Sequence, residues 1–341
     1  MQGIAKLATN YRQELFRNTA QKMHVRDAII EKDFWVCYTL DYLFHRSPWQ
    51  NSFTFKGGTS LSKAYNLIER FSEDIDLILD WQILGYEKNE PWLDRNKTQQ
   101  DKFNKEANKK AEDFLLHEFC PKIQEDLSSE INGNIEIAVD ESDKQTIIFS
   151  YPVIFANDSI LDQIRLEIGA LAAWTPSEKI QIEPYASQYY PFVFSSPSTT
   201  ILTVKPERTF WEKITILHQE ANRPENKQMK PRYFRHYYDI YRMLSTSVKE
   251  NAFKHLDLLN KVVEFKKKFY PVNWAKYDEA APGTIKLFPP NYRLPELKKD
   301  YLAMKDMFYG EIPNFDEVMK AIKLLETEIN QLKRDENYTD L

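Results

Sequence analysis

The sequence predicts a protein of the α/β (α+β) class, in which a mixed sheet flanked by helices is followed by a C-terminal helical domain. Three observations predict it. Apolar side chains recur every three or four residues over the first fifty positions, and short β-branched runs alternate with polar residues between 134 and 204. Helical spacing then returns from Pro206 onward, which is typical of a sheet domain joined to a helical one.

The elements before residue 130 follow from periodicity and from chain breakers. Helices are predicted where apolar residues lie three and four apart, and strands where β-branched and aromatic residues alternate with polar ones. The pair Gly57-Gly58 ends the first strand, because clustered glycines interrupt regular structure. The predicted elements are helices over 10–21 and 26–44, a strand over 52–56, a helix over 59–70, a strand over 74–81 and a long amphipathic helix over 95–126 that ends near Pro121.

The rest of the chain changes character near residue 205. Before it, β-branched runs are broken by Asn, Asp, Gly and Pro, and after it the helical period returns. The predicted strands are 134–140, 145–155, 162–170, 179–185 and 199–204, and the predicted helices are 206–222, 233–245, 251–269, 295–308 and 315–333. The predicted domains are an α/β domain over 1–205, with a helical lead-in over 1–50, and a helical domain over 206–341.

Composition and charge exclude several classes of protein. The net charge of -5 argues against a protein that binds nucleic acid over its whole surface. A basic face would therefore be local, at 226–242 or 261–269. No run approaches the ~20 apolar residues that span a bilayer, and the start lacks a signal peptide's apolar segment. We therefore expect a cytoplasmic protein with no membrane partner. Cys37 and Cys120 lie far apart and predict neither a disulfide framework nor a thiolate zinc site.

A glycine turn at "FKGGTSLSKAY" (55–65) is the first candidate for a functional site. Glycines after a strand let the chain turn tightly and let a ligand approach the backbone, and N–H groups at the start of the next helix favour a phosphate. Thr59, Ser60 and Ser62 add hydroxyl groups. The stretch is neither a P-loop nor G-x-G-x-x-G, so an ordinary tight connection is the alternative interpretation.

An aspartate pair in the next strand is the second candidate. Residues two apart in a strand share a face, so Asp74 and Asp76 should project together while Ile75, Leu77 and Leu79 face the core. Two neighbouring carboxylates suit Mg²⁺, a hard ion held by one or two carboxylates together with water and substrate phosphates. The alternative is a pair of solvated aspartates.

Five sequence blocks, taken together, are more specific than either candidate. They are "IEKDFWV" (30–36), "FKGGTSLSKAY" (55–65), "RFSEDIDL" (70–77), "ERTFWEKITIL" (207–217) and "RHYYDIYRML" (235–244). Their order and content resemble the AbiEii/AbiGii family of nucleotidyltransferase toxins, within the DNA polymerase beta-like nucleotidyltransferase superfamily. The blocks span about residues 25–245, and the C-terminal hundred residues carry no block of this resemblance.

The resemblance implies roles for residues of the glycine turn and the aspartate pair. The nucleotide-binding residues would be Gly57, Gly58, Thr59, Ser60 and Lys63, while Asp74 and Asp76 would be catalytic and would bind the metal. The metal would be Mg²⁺, with Mn²⁺ as the alternative. Many members have Gly-Ser where this chain has Gly-Thr-Ser, which leaves open whether Thr59 or Ser60 contacts the phosphate.

Two further catalytic residues are implied by the later blocks. Lys213 matches the family's catalytic lysine, and Asp239 matches the aspartate of its R-x-x-D-x-Y block. Read on its own helix, the Lys213 stem can follow the core while its ammonium offsets phosphate charge in a cleft. Asp239 would orient Lys213 or act as a base, the alternative being a surface pair with Arg235 or Arg242.

The resemblance to the superfamily also implies a third metal-binding carboxylate on a neighbouring strand. In "QIRLEIG", Glu167 lies opposite the apolar Ile164, Leu166 and Ile168, as a metal-facing residue should. Glu183 in "IQIEPY" is the rival position. A cross-strand ion pair is the alternative role for Glu167.

These features predict a Mg²⁺-dependent nucleotidyltransferase that moves a nucleotide from an NTP to an acceptor hydroxyl with release of pyrophosphate. The resemblance implies a toxin with a cognate antitoxin protein, and for some members tRNA or another RNA as acceptor. The alternatives are transfer to a protein or a small molecule, and a regulatory protein that binds a nucleotide without turnover.

Overall fold

The computed structural model describes residues 1–72, 74–156, 161–170, 176–308 and 310–332. The chain forms two compact units. The first, called here the sheet unit, comprises the described parts of 1–64, 72–172 and 177–204. The second, called here the helical unit, comprises the described parts of 65–71, 173–176 and 205–341. The short segment 65–71 therefore groups with the later helices, although the sheet unit surrounds it in the sequence.

Seven strands form one sheet in the sheet unit, in the order β3-β4-β5-β2-β1-β7-β6. The pairs β1–β7 and β2–β5 are parallel and the other neighbours are antiparallel. The strands are β1 Phe53–Lys56, β2 Asp74–Leu79, β3 Glu136–Val139, β4 Thr146–Ser150, β5 Ile164–Gly169, β6 Ser177–Ile182 and β7 Thr199–Val204. The predicted mixed sheet with flanking helices is confirmed.

Helices cover this sheet and bury its apolar side chains. The helices are α1 Gln2–Ala5, α2 Thr9–Met23, α3 Asp27–His45, α4 Gly57–Lys63, α5 Lys97–Phe114, α6 Cys120–Glu130 and α7 Tyr185–Tyr189. Helix α3 packs against β5 and β7, and α4 packs against β1 and β2. Nearly all of α3 is buried, including the charged run Glu31, Lys32 and Asp33.

The predicted helix over 59–70 is wrong in its bounds, since α4 begins at Gly57 and ends at Lys63. Asn66 adopts a left-handed backbone with φ of 52°, a conformation that ends a right-handed helix and that Asn tolerates better than most residues. The predicted strand over 145–155 also ends early, at Ser150, because Pro152 lacks the N–H that a strand ladder needs.

Pro121 does not end the long helix as predicted. A π-helical turn over Leu115–Phe119 joins α5 to α6, and Pro121 lies in the first turn of α6. The chain stays helical through the proline because the preceding turn uses π-type bonding, in which the Cys120 N–H donates to the Leu115 oxygen.

The helical unit is built around α8. Its helices are α8 Pro206–Ala221, α9 Phe234–Leu244, α10 Val248–Phe253, α11 Leu256–Phe269, α12 Leu294–Ala303 and α13 Phe315–Gln331. Helix α8 packs against α9, α10 and α11, while α12 and α13 pack against α9. The single helix predicted over 251–269 is two helices, separated at Lys254 and His255. In the described parts of the chain, no helix is long and apolar enough to cross a bilayer.

Candidate active site

The glycine turn lies directly against the second aspartate of the D-x-D pair. Gly57 has a φ of +82°, and a Cβ built on it would lie 1.9 Å from Asp76 Oδ2. Any larger residue would be strained by its backbone and would collide with the carboxylate. The sequence separates these two features, and the fold of β1, α4 and β2 brings them into contact.

The two aspartates share one face of β2. Asp74 and Asp76 are partly exposed, whereas Ile75, Leu77 and Leu79 on the opposite face are buried. This is the alternation that the strand period predicts. One side of β2 therefore contributes to the core and the other presents carboxylates.

Glu167 extends the carboxylate face onto the neighbouring strand. It is the register partner of Asp76 in the parallel pair β2–β5, so both side chains project from the same side of the sheet. Glu167 is exposed while Leu166 and Ile168 are buried. Its rival Glu183 follows β6, which lies three strands from β2 in the sheet order. The register therefore favours Glu167 over Glu183 as the neighbour of the pair.

Two cations on this face were missed by the sequence interpretation. Lys56 is the register partner of Asp76 on β1, and Arg165 is the partner of Asp74 on β5. Arg165 also pairs with Asp140 through Nη1 and Oδ2, 2.6 Å apart. Alternation within "FTFK" and "IRLEIG" places both cations on the polar face, but only the sheet order shows that they lie beside the aspartates.

The donor set suits a hard divalent cation, because Asp74, Asp76 and Glu167 offer only carboxylate oxygens. Within the described ranges, however, no group of three acidic, histidine or cysteine side chains converges as a metal site. The residues fit an ion held by the aspartate pair with further oxygens from a substrate, which is the usual way in which Mg²⁺ is bound.

The hydroxyl groups of Thr59 and Ser60 in the turn are buried, and that of Thr59 joins α4 to β2. Thr59 Oγ1 donates to the backbone oxygen of Asp74 and hydrogen-bonds with the hydroxyl of Ser72 at 2.9 Å. Ser60 Oγ donates to the Gly57 oxygen at 2.9 Å. Thr59 is 1% exposed and Ser60 is fully buried. The Thr59 hydroxyl therefore fixes the position of the turn relative to the aspartate strand, and the Ser60 hydroxyl fixes the shape of the turn itself.

Lys63 lies at the end of α4 in a buried ion pair with Asp33 of α3, with Nζ 2.6 Å from Oδ1. Its ammonium also lies 3.8 Å from the ring centroid of Tyr185, whose N–H donates to Asp33 Oδ2. Burial raises the pKa of Asp33, and Lys63 opposes that shift by favouring the charged carboxylate. The structure thus gives Lys63 a contact that ties α4 to α3.

The helical unit contains the other two predicted catalytic residues in direct contact. Lys213 Nζ on α8 lies 2.7 Å from Asp239 Oδ2 on α9, and both side chains are buried. Arg70 binds the same carboxylate, with Nε 2.6 Å from Oδ1 and Nη2 2.8 Å from Oδ2. The predicted alternative, a surface pair of Asp239 with Arg235 or Arg242, does not fit a carboxylate that is 0% exposed.

Burial and charge act in opposite directions on this group. Burial alone would raise the pKa of Asp239, but Arg70 and Lys213 hold that pKa well below its usual range. Burial and the nearby Arg70 lower the pKa of Lys213, while Asp239 opposes them. The carboxylate is therefore ionised, and it is shared by two cations.

The sequence matches the family profile described as "Nucleotidyl transferase AbiEii toxin, Type IV TA system" over residues 41–321. The chain belongs to this family. The matched region begins after the first of the five blocks and extends beyond the last one. It therefore includes most of the C-terminal helices. This AbiEii protein is accordingly a nucleotidyltransferase toxin of a type IV toxin–antitoxin system.

A solved structure supports the fold of this AbiEii protein. The chain is similar to MenT4, a nucleotidyltransferase toxin from Mycobacterium tuberculosis H37Rv, with a TM-score of 0.51 and 15% sequence identity. The likeness covers 94% of this chain and 91% of MenT4. No curated protein matches the sequence.

Proposed function

We propose that this AbiEii protein transfers a nucleotide from an NTP to an acceptor hydroxyl in a Mg²⁺-dependent reaction that releases pyrophosphate. The observation that carries the proposal is the contact between the glycine turn at Gly57 and the carboxylate of Asp76. A phosphate close to that backbone would lie beside the carboxylates, which is the arrangement that phosphoryl transfer needs.

In the sheet unit, Asp74 and Asp76 would hold the ion, and Glu167 would contribute to the same face. Mg²⁺, or Mn²⁺ in its place, would supply positive charge for the phosphates and would make the acceptor hydroxyl more acidic. Gly57 and Gly58 would let the triphosphate approach the backbone, with Thr59 and Ser60 fixing the shape of the turn. Lys63 would act through α4, because Asp33 already holds its ammonium.

In the helical unit, Lys213 would offset negative charge that develops on the phosphates during transfer. This role is supported by the contact of Lys213 with a carboxylate that it shares with a second cation, Arg70, because attraction from one carboxylate is then divided between two cations. Asp239 would orient Lys213, which is one of the two roles expected of it. Its three N–H contacts favour that role over a role as a base.

For the acceptor we propose an RNA, with tRNA as the leading candidate. In the helical unit, the partly exposed ring of Trp274 lies 5.5 Å from Nζ of the exposed Lys227. Aromatic rings beside cations bind single-stranded nucleic acid through stacking and phosphate contacts. The last turn of α11 adds Lys266, Lys267 and Lys268. The acidic net charge favours instead a protein or a small molecule as acceptor.

The test is incubation of the purified protein with each α-labelled NTP, Mg²⁺, and total RNA or total protein. We expect label to enter RNA with one preferred NTP, and EDTA to stop the transfer. Label in protein or in a small product would support the alternative acceptors. Binding of NTP with no transfer to any acceptor would instead support a nucleotide-binding regulator. A cognate antitoxin, expected from the family, should restore the growth of cells that express the protein.

A further inference from the structure

The buried cluster in the helical unit contains a cation that the proposed function does not use. Arg70 contacts both oxygens of Asp239, whereas Lys213 contacts only Oδ2. The side chains of Arg70 and Asp239 are 4% and 0% exposed. A paired arginine fork of this kind fixes the plane of a carboxylate, which a single ammonium cannot do.

We infer that Arg70 is a positioning residue of the transfer site, which fixes the plane of the Asp239 carboxylate and thereby the position of the Lys213 ammonium on it. The inference deepens the proposed nucleotide transfer and rests on it for the role of Lys213.

The contacts of Asp239 argue against a base or a metal ligand. Arg70 and Lys213 together supply three N–H donors to its two oxygens, and no part of the side chain is exposed. A base needs a lone pair directed at a substrate proton, and a metal ligand needs an oxygen that faces away from other cations. Asp239 meets neither requirement, so it acts through Lys213.

Two cations share the Asp239 carboxylate. Lys213 and Asp239 alone would form a neutral pair. With Arg70 on the same carboxylate, the attraction of Asp239 is divided between the guanidinium and the ammonium, so Lys213 is neutralised less strongly than it would be in a simple pair.

The other charged and titratable groups near Lys213 lie on α9. They are Arg235, a further cation that lowers the pKa of Lys213, and His236. Burial and the neighbouring cations hold the pKa of His236 well below its usual value, so its ring is neutral. Its Nδ1 is buried and has no hydrogen-bond partner in the described part of the chain.

The backbone around Arg70 is held by other contacts, which provides a matched control. Phe71 N–H donates to the Met307 oxygen at 2.7 Å, and Glu69 pairs with Arg242 at 3.0 Å. Arg242 therefore anchors the same segment as Arg70 without touching Asp239. Replacing Arg242 removes an anchor alone, whereas replacing Arg70 removes an anchor and the fork on Asp239.

The experiment compares Arg70→Gln, Arg70→Lys and Arg242→Gln in the full chain. Transfer of label from the preferred NTP is measured against pH, and the Lys213 ammonium is titrated by NMR with ε-labelled lysine. We expect Arg70→Gln to lower kcat about 10²-fold, since misplaced catalytic groups cost about that much. It should also move the Lys213 titration, and the alkaline limb of the pH profile, to higher pH, because Arg70 lowers the pKa of Lys213.

Arg70→Lys keeps the positive charge but cannot hydrogen-bond to both oxygens of Asp239. It should therefore leave the titration of Lys213 nearly unchanged and restore only part of the transfer rate. Arg242→Gln should change neither the titration nor the rate. The inference is overturned if Arg70→Gln and Arg242→Gln behave alike, or if Lys213 titrates as in the wild type. If Arg70→Gln does not fold, a fully active Arg70→Lys variant would overturn it. Wild-type protein without transfer would refute the proposed function, and the Lys213 titration would still decide the inference.

Discussion

The two units of the molecule carry their functional charge in opposite ways. The sheet unit presents Asp74, Asp76 and Glu167 together on a polar face, partly open to solvent. The helical unit buries two cations around one carboxylate, Asp239. The face has more carboxylates than cations, and the cluster has more cations than carboxylates. Under the proposed function, the carboxylate face would contact the metal ion and the cation cluster would contact phosphate.

The difference also separates what substitution should do in each region. A half-exposed carboxylate can lose its charge at little cost to the fold, because water solvates what remains. A buried carboxylate between two cations cannot lose its charge at little cost, because two buried positive charges then remain without a counter-ion. Substitutions on the face should therefore affect activity, and those in the cluster should affect both activity and stability.

The largest effect is expected from Asp76→Asn. The amide keeps the shape that packs against Gly57 but loses the charge proposed to hold the metal. We expect a loss of about 10⁴-fold in label transfer with little change in the melting temperature. The matched control is Glu136→Gln, an exposed carboxylate of the same sheet, on β3, which should keep full activity. Comparable activity in both variants would remove Asp76 from the site.

Asp239→Asn should have the largest effect on stability. It leaves Arg70 and Lys213 buried beside a neutral amide, and breaking a buried pair in this way costs about 3–5 kcal/mol. Chemical denaturation of the full chain measures this loss of unfolding free energy. Asp257→Asn, which breaks a partly exposed pair with Lys261, should cost no more than about 1 kcal/mol. Equal losses of unfolding free energy in the two variants would show that burial does not make the Asp239 contacts more stabilising than a partly exposed ion pair.

Glu31 sharpens the comparison, because it is a buried carboxyl in the sheet unit. Burial raises its pKa to about 7, although N–H bonds from Ile154 and Phe155 and the nearby Arg12 oppose the shift. A pKa raised by folding stabilises the protein below the unfolded value of 4.5, and this contribution is lost as the pH rises to about 7. We expect a loss of about 3 kcal/mol across that window, and Glu31→Gln should abolish it. If the unfolding free energy of Glu31→Gln falls with pH as steeply as that of the wild type, other groups titrate between pH 4.5 and about 7.

A smaller effect is expected from Gly57→Ala measured against Gly85→Ala. Both glycines have positive φ, +82° and +84°, so the backbone strain of the substitution is matched. Only Gly57 has a neighbour in the way, since nothing lies within 4 Å of a Cβ at Gly85. Gly57→Ala should cost about 2 kcal/mol more and should lower transfer by displacing Asp76. Equal stability of the two variants would place Asp76 away from the turn.

The polar face could be predicted from the sequence because its cause is local. The period of a strand places Asp74 with Asp76, and Glu167 with Arg165, on the polar sides of their strands. The sequence could not show which strands are neighbours, so Lys56 and Arg165 were missed. The glycine turn was recognised, but its contact with Asp76 depends on how β1 and β2 pair.

The buried cluster was harder to predict because its partners are distant in the chain. Arg70 and Asp239 are 169 residues apart, and nothing in the spacing of either block indicates that they meet. The resemblance to the family supplied Lys213 and Asp239 but gave Arg70 no role. The predicted C-terminal bound of α4 was wrong for a local reason. The backbone at Asn66 is left-handed, although the helical pattern of the sequence continues past it.

We propose that the carboxylate face and the cation cluster serve one reaction. The direct measurement is transfer of label from the preferred α-labelled NTP by the wild type, Asp76→Asn and Lys213→Met, with Mg²⁺ and with EDTA. Lys261→Met, at an exposed lysine of α11, is the control. We predict Mg²⁺-dependent transfer in the wild type and the control, and a loss of about 10²-fold or more in the other two. Undiminished transfer by either Asp76→Asn or Lys213→Met would contradict the account.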